Sequence, residues 1–343
     1  MYALGEDFLP DASAVEQALP EDIQEILDGQ SANTLPDTDL AERIWHAFQE
    51  VLQENITAAF HTAGVILAVT VICALAESVD IPAKGSKYIL LAGVVAVSAA
   101  AISDFDSYLE NGLSSLQVLS DFSHVLLPSL TTAAAVSGVA AGAAAKYAAT
   151  AMFMDVLLSV GQNLVMPAVC GYAALSVACA AVGNGALKAA RKIVKCVCTY
   201  LLIAVSLLFT TWLAITGVVS GAADAVAVKI TKTAVSAALP IVGSVLSDAA
   251  GTLAAVVSTV RNTAGIFGMI VILCICMGPF VSLGVRYLIY KLSAALCECV
   301  SNGKLSELVD AFGTCFGMVL GMNGVGAWIL LLSVFSLMRT VIQ

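Results

Sequence analysis

The chain has 343 residues, of which 59% are hydrophobic and only 12% charged, and its mean hydropathy is +0.94. Soluble domains carry about 45–50% apolar and about 25% charged residues, so this chain has too few polar residues to cover a surface in water. Because lipid cannot satisfy open backbone hydrogen bonds, the composition predicts an all-α polytopic integral membrane protein. The net charge of −10 disfavours nucleic acid as a partner.

Residues 1–57 form an acidic unit that we expect to be helical and extramembrane. Thirteen of the 25 acidic residues precede Ile56, and Arg43 is the only strong base there. This acidity also disfavours docking of the unit on anionic lipid headgroups. No secretory signal is recognisable ahead of it, so either the chain was trimmed or the first transmembrane helix directs insertion.

The end of this unit, residues 39–58, has the spacing of an amphipathic helix. Its apolar face is formed by Leu40, Ile44, Phe48, Val51 and Leu52. We expect this helix to rest on the rest of the protein or at the membrane interface, or else to bind a partner helix.

Residues 58–343 are predicted to be the polytopic membrane domain. One simple span needs about 20 apolar residues. The apolar segments lie at about 56–76, 88–103, 125–145, 147–182, 196–220, 239–257, 263–295 and 312–338. The segments at 147–182 and 263–295 are too long for one straight span, whereas 125–145 and 239–257 contain small residues and begin near a proline.

Two pairs of prolines indicate an internal duplication. A shift of 112 residues aligns Pro128 with Pro240 and Pro167 with Pro279, so the prolines of each half are 39 residues apart. The repeat-like regions are about 88–195 and 200–312. Proline-led short or re-entrant helices at matching positions are typical of transporter folds, in which broken helices line a central site. The small residues after each proline would serve either tight packing or the lining of a conduit.

Basic residues give a partial prediction of orientation. In a re-entrant arrangement, Lys84 and Lys87, the cluster from Lys188 to Lys195, and Arg286 with Lys291 can all be cytoplasmic. The acidic N-terminal unit then lies on the non-cytoplasmic side. If each short segment instead spans the bilayer, the two halves are inverted, and the sequence leaves both arrangements open.

No catalytic or metal-binding motif is present. The three histidines lack a second ligand at useful spacing. The Cys-x-Cys pairs at 196, 274 and 297 would point about 200° apart on a helix and are better explained as small apolar packing residues. We therefore predict that the protein is not an enzyme and needs neither a cofactor nor a metal.

Polar residues inside the apolar segments are the candidates for function, because such residues usually face a bundle interior or a water-filled cavity. They are Asp155, Gln162, Asn163, Asp248, Arg261, Asn262 and Asn323. Asp248 lies in LPIVGSVLSDAAGT, with Ser247, Gly251 and Thr252 beside it. Because Arg261 would lie about 20 Å along a continuous helix, it can pair with Asp248 only if the chain folds back. The segment is predicted to be a conduit lining or a packing site.

The C-terminal half resembles the stage III sporulation protein AE family. The matching residues are Ser247, Asp248, Ala249 and Thr252, the pair Arg261-Asn262, Gly265 and Gly268, Pro279, and Tyr290-Lys291-Leu292 followed by Ala294-Ala295. The likeness is strongest over about 235–340 and weaker back to about residue 60. Cys297-Glu298 departs from the Gln-Pro-like pair expected there.

This resemblance implies a role in endospore development. Family members are expected in the mother-cell membrane around the forespore, in a trans-envelope apparatus resembling specialised secretion systems. The implied partners are the other membrane proteins of the stage III operon and their ATPase, with a forespore membrane protein as an indirect partner. The chain would be the permease-like membrane core of that channel. A free-standing secondary transporter and a purely structural membrane scaffold are the alternatives.

Overall fold

The fold is described from a computed structural model, which covers residues 21–27, 38–78, 83–134, 140–215, 263–300 and 303–342. This part of the chain is helical throughout, apart from two short turns. The elements are α1 (Glu21–Leu27), α2 (Thr38–Ser78), α3 (Ala83–Ala134), α4 (Ala140–Val160), α5 (Met166–Val182), α6 (Gly185–Ile215), α7 (Thr263–Val300) and α8 (Lys304–Ile342). A π turn, Gly161–Val165, joins α4 to α5.

Six helical segments of the described chain are long and apolar enough to cross a membrane. These segments are Leu40–Ser78, Gly85–Thr131, Lys146–Val182, Gly185–Ile215, Gly265–Val300 and Lys304–Met338. The prediction of an all-α polytopic membrane protein is thereby confirmed. The matching of two duplicated halves cannot be judged, because residues 216–262 lie outside the described residues.

Helix α8 is the centre of the bundle. Its most apolar stretch is entirely buried, and it packs against α3, α4, α5, α6 and α7. Glycines allow this approach: a Cβ at Gly112 of α3 would collide with Val319 of α8. The other helices carry exposed apolar side chains, as expected for a surface that meets lipid.

Three helical hairpins turn at the same end of the bundle, which we call the turn end. Gly183 and Gly303 take positive φ values of 72° and 77° to turn between α5 and α6 and between α7 and α8. Lys188, just after the first turn, contacts Glu307, just after the second. The α2–α3 hairpin joins them there, since Thr70 Oγ1 of α2 lies 3.3 Å from Cys297 Sγ of α7.

Pro128 and Pro279 do not divide the chain into proline-led short helices, as the sequence suggests. Pro128 lies inside α3 and Pro279 inside α7. Near Pro128, the hydroxyls of Ser129 and Thr131 donate to the carbonyls of Val125 and Leu127. Hydroxyl groups and neighbouring helices let a membrane helix continue past a proline.

Pro167 is in a different position, at the first turn of α5, where its missing N–H costs little. The π turn just before it inserts extra backbone and lets α4 and α5 run on as one long element. This explains how the long 147–182 segment fits the bundle. Pro240 lies outside the described residues.

Helix α2 runs without a break through residue 57, where the acidic unit was predicted to end. The helix expected over residues 39–58 is therefore its first half. Leu40 is buried, and the remaining predicted apolar positions are half-buried. The division into an extramembrane and a membrane part stays a prediction.

Candidate functional site

A stripe of exposed polar side chains runs along α3. We call it the polar stripe, and its members recur every three or four residues: Asp106, Glu110, Ser114, Gln117, Asp121 and His124. This spacing places all six on one helical face. From first to last they extend about 27 Å along the helix axis, close to the thickness of a bilayer's hydrocarbon core of about 30 Å.

Helix α4 and the π turn add exposed polar side chains beside the polar stripe. Asp155 of α4 accepts a contact from His124, with Nε2 and Oδ1 3.4 Å apart, and both side chains remain exposed. Gln162 and Asn163 are exposed beyond it. Asn163 donates to the Ser159 carbonyl at 2.9 Å, so its amide is partly satisfied by its own helix.

The polar stripe lies at the same level of the bundle as an apolar outer face on α6. A Cβ at Gly326 of α8 would lie 2.6 Å from Leu116 of α3 and 3.5 Å from Leu157 of α4. One turn from Leu157, the ring of Phe153 lies 5.3 Å from the ring of Phe209 on α6. Gln117 and Leu208, the neighbours of Leu116 and Phe209, are therefore at similar heights on different outer faces.

The outer faces of α3 and α6 differ in polarity at the same level of the bundle. Leu208 is 63% exposed, which suits contact with lipid tails. Gln117 facing lipid at that depth, with Asp121 one helical turn away, would be strongly unfavourable. The outer face of α3 is thus suited to water or to polar protein groups, and α6 is suited to lipid.

A second polar cluster lies inside the bundle around Arg286 of α7, which is only 2% exposed. Its Nη2 donates to the Tyr108 hydroxyl of α3 at 2.7 Å, and its Nη1 donates to Thr62 of α2 at 3.3 Å. The guanidinium carbon also lies 4.4 Å from the Tyr108 ring centroid, a cation–π contact. One arginine therefore connects three helices.

The sequence interpretation counts Arg286 with Lys291 among the bases that can be cytoplasmic, and it does not predict that Arg286 is buried between helices. Its phase on α7 could have revealed this position. Leu283, Tyr290 and Ala294 recur with it at three- or four-residue steps, and all are buried. An arginine in phase with such an apolar face points into the bundle.

Asn323 is the predicted polar residue that does face the interior. Its Nδ2 donates to the Gly112 carbonyl of α3 at 2.9 Å and to the Val319 carbonyl of its own helix at 3.2 Å. Since the side chain is 3% exposed, these bonds satisfy an amide that would be costly without partners. Asn323 therefore fastens α3 to α8.

Of the remaining predicted site residues, one is described by the structure and the others are not. Asp155 is described, but the structure places it on the outer surface with His124 rather than in the interior. The other candidates, namely Asp248, Ser247, Gly251, Thr252, Arg261 and Asn262, all lie outside the described residues. Their proposed conduit or packing role is neither supported nor opposed by the geometry.

Charged residues gather at the turn end. Lys291 Nζ donates to Asp310 Oδ1 at 2.6 Å and to Thr314 at 2.8 Å. Lys188 lies 2.9 Å and Arg191 3.9 Å from the carboxylate of Glu307. The contacts of Lys188 and Arg191 with Glu307 join the α5–α6 hairpin to the α7–α8 hairpin, and the Lys291–Asp310 pair joins α7 to α8.

Comparison with known proteins identifies the family of this chain. The family model described as stage III sporulation protein AE matches residues 23–340. A relative, the stage III sporulation protein AE of Bacillus subtilis (strain 168), is 23% identical over 210 residues. That match covers 61% of this chain and 53% of the relative, so it spans about half of the relative's length. No solved structure matches. Because the family model covers nearly the whole chain, this protein belongs to the stage III sporulation protein AE family.

Proposed function

We propose that the chain is the membrane core subunit of a channel complex that joins the mother cell to the forespore and is required for endospore development. Family membership supports a role in sporulation. The polar stripe supports a channel in particular, because it places titratable side chains at the membrane depth where the outer face of α6 is apolar. Such a face is stable in a membrane when it lines water or meets a polar partner.

In this proposal the polar stripe faces the inside of an assembly, while α6 and the outer face of α7 meet lipid. The partners are the other membrane proteins of the stage III operon and, on the cytoplasmic side, their ATPase. A forespore membrane protein completes the passage indirectly. The chain itself supplies the membrane wall and performs no enzymatic step.

The bundle's asymmetry supports one orientation. The α2–α3, α5–α6 and α7–α8 hairpins turn at the end that carries Lys188, Arg191 and Lys291. By the positive-inside rule this end is cytoplasmic. Since α2 begins at the opposite end, the acidic N-terminal region then lies on the non-cytoplasmic side, in the space between the two membranes.

Purification of the affinity-tagged chain from sporulating cells tests the proposal. We expect several envelope proteins and an ATPase to co-purify in mild detergent. A variant with Glu110→Leu, Gln117→Leu and Asp121→Leu should stay in the membrane and lose these proteins. The matched variant Val197→Ala and Leu208→Ala, on the apolar face of α6, should keep them. A tagged chain that is recovered alone from sporulating cells would contradict the complex.

A free-standing secondary transporter is the second candidate, and the buried Arg286 favours it, because interior cations often lie on solute pathways. The discriminating result is solute uptake by vesicles that contain this chain alone. A structural scaffold would give neither uptake nor sensitivity of sporulation to substitutions in the polar stripe.

A further inference from the structure

We propose that the turn end of the bundle holds an anionic phospholipid headgroup in a basic patch between α6 and the α7–α8 hairpin. The basic patch consists of Lys188, Arg191, Lys192, Lys195, Lys291 and Lys304. It is a binding site separate from the polar stripe and does not depend on the channel proposal.

The patch has more positive charge than its own carboxylates compensate. Glu307 neutralises part of the positive charge of Lys188 and Arg191, and Asp310 forms an ion pair with Lys291. The remaining lysines, Lys192, Lys195 and Lys304, form no ion pair with any residue in the described part of the chain. Even counting Glu298 near the end of α7, cations outnumber carboxylates two to one.

The cations converge on one place. Lys195 of α6 is close enough to Lys291, Asp310 and Arg191 to interact with them electrostatically. Lys304 Nζ lies 3.7 Å from the position that a Cβ would take at Gly183, so it reaches the α5–α6 turn. A phosphate placed among these groups would relieve the repulsion between lysines on neighbouring helices.

The apolar surface beside the patch identifies the anion as a lipid rather than a soluble one. Lys192, Cys196 and Tyr200 follow one another at four-residue steps on an exposed face of α6. Ile193 and Val197 lie beside them and are 62% and 51% exposed. A headgroup on the lysines would therefore have its acyl chains on the apolar side chains of this face.

Basic pockets between transmembrane helices on the cytoplasmic side are suited to such headgroups. Helix α2, whose first half carries part of the acidity that disfavours anionic lipid, begins at the opposite end of the bundle. Phosphatidylglycerol has the matching chemistry of one phosphate charge with two acyl chains.

The experiment titrates phosphatidylglycerol into the purified full-length chain in a neutral detergent and counts retained lipids by native mass spectrometry. Phosphatidylcholine is the neutral control. We expect phosphatidylglycerol to bind the wild-type chain at least about tenfold more tightly, since each lysine near a headgroup strengthens binding about fivefold. The variant Lys192→Gln, Lys195→Gln and Lys304→Gln should lose this preference.

Matched variants make the result specific. Lys87→Gln removes an exposed lysine of α3 near the same end and should leave the preference intact. A variant with Arg in place of Lys192, Lys195 and Lys304 should keep it, which separates loss of charge from misfolding. Equal lipid binding by the Gln variant and the wild type would overturn the proposal. Displacement of the lipid by inorganic phosphate or polyglutamate at equal charge would also overturn it, in favour of a soluble anion or an acidic protein.

Discussion

Tyr108 holds Arg286 in two ways, through a 2.7 Å hydrogen bond from Nη2 to its hydroxyl and through a ring centroid 4.4 Å from the guanidinium carbon. The pair joins α3 to α7 at a point where Arg286 is almost completely buried. A buried cation is stable only when its environment replaces water. The aromatic ring and the hydroxyl supply part of that environment.

Replacing Tyr108 with Phe should lower the free energy of unfolding by about 1.5–3 kcal/mol, because it removes a hydrogen bond to a charged group and keeps the ring. Thermal unfolding in detergent measures this loss. Tyr200→Phe, on an exposed face of α6, is the control and should change stability little. A Tyr108→Phe protein as stable as the wild type would show that the hydroxyl does not hold Arg286.

Gly112→Ala should destabilise the bundle by about 1–3 kcal/mol, because the new methyl group would collide with Val319 on α8 and disturb the bond from Asn323. Gly171→Ala is the matched control, since a Cβ there meets nothing within 4 Å. That control should be neutral or stabilise the helix by up to about 1 kcal/mol. Equal unfolding temperatures for the two variants would contradict the close approach of α3 and α8.

The comparison of sequence and structure shows which features could be predicted. Composition was sufficient for membrane helices, and Asn323 could be assigned to the interior because an amide in lipid is costly. The stretch 104–124 falls between the apolar segments at 88–103 and 125–145, because its average polarity is high. The helical spacing of its residues would have predicted one continuous helix. Apolar residues such as Phe105, Leu109 and Leu116 form the buried face, and the polar stripe forms the exposed face.

The errors have physical causes. The sequence suggests that Pro128 begins a helix, but Pro128 lies within α3. Serine and threonine hydroxyls nearby donate to backbone carbonyls and help the helix to continue past the proline. The positive-inside rule counts Arg286 among the bases that can be cytoplasmic, and it does not predict a position between helices. Its burial requires Tyr108 and Thr62, which are more than 170 residues away in sequence. Such long-range partners cannot be inferred from local spacing.

The acidic N-terminal region should be accessible only from the non-cytoplasmic side. A cysteine introduced at Ser31 should react with a membrane-impermeant maleimide added outside, and the wild-type chain with its ten native thiols gives the background. The reason is the basic turn end, which the positive-inside rule places in the cytoplasm. Labelling of Ser31→Cys only from the cytoplasmic side would reverse the topology.

Asp248→Ala should leave the protein in the membrane and block forespore development, as predicted for an aspartate in an apolar segment. Asp248→Asn then separates charge from hydrogen bonding, since the amide keeps the size and part of the bonding capacity. Spore counts and protein levels are the measurements. Normal sporulation of Asp248→Ala at unchanged protein level would reduce the segment to a packing role.

The polar stripe on α3 does not face lipid in the assembled complex that we propose, and the accessibility of a spin label at Gln117 tests this placement. The label is placed by Gln117→Cys, in a background where the exposed Cys170, Cys196 and Cys299 are serine. Leu208→Cys at the same level of α6 is the lipid-facing reference. We expect apolar oxygen to reach the label at 117 much less than the label at 208 in the assembled complex. Equal, oxygen-dominated accessibility at both positions would contradict it.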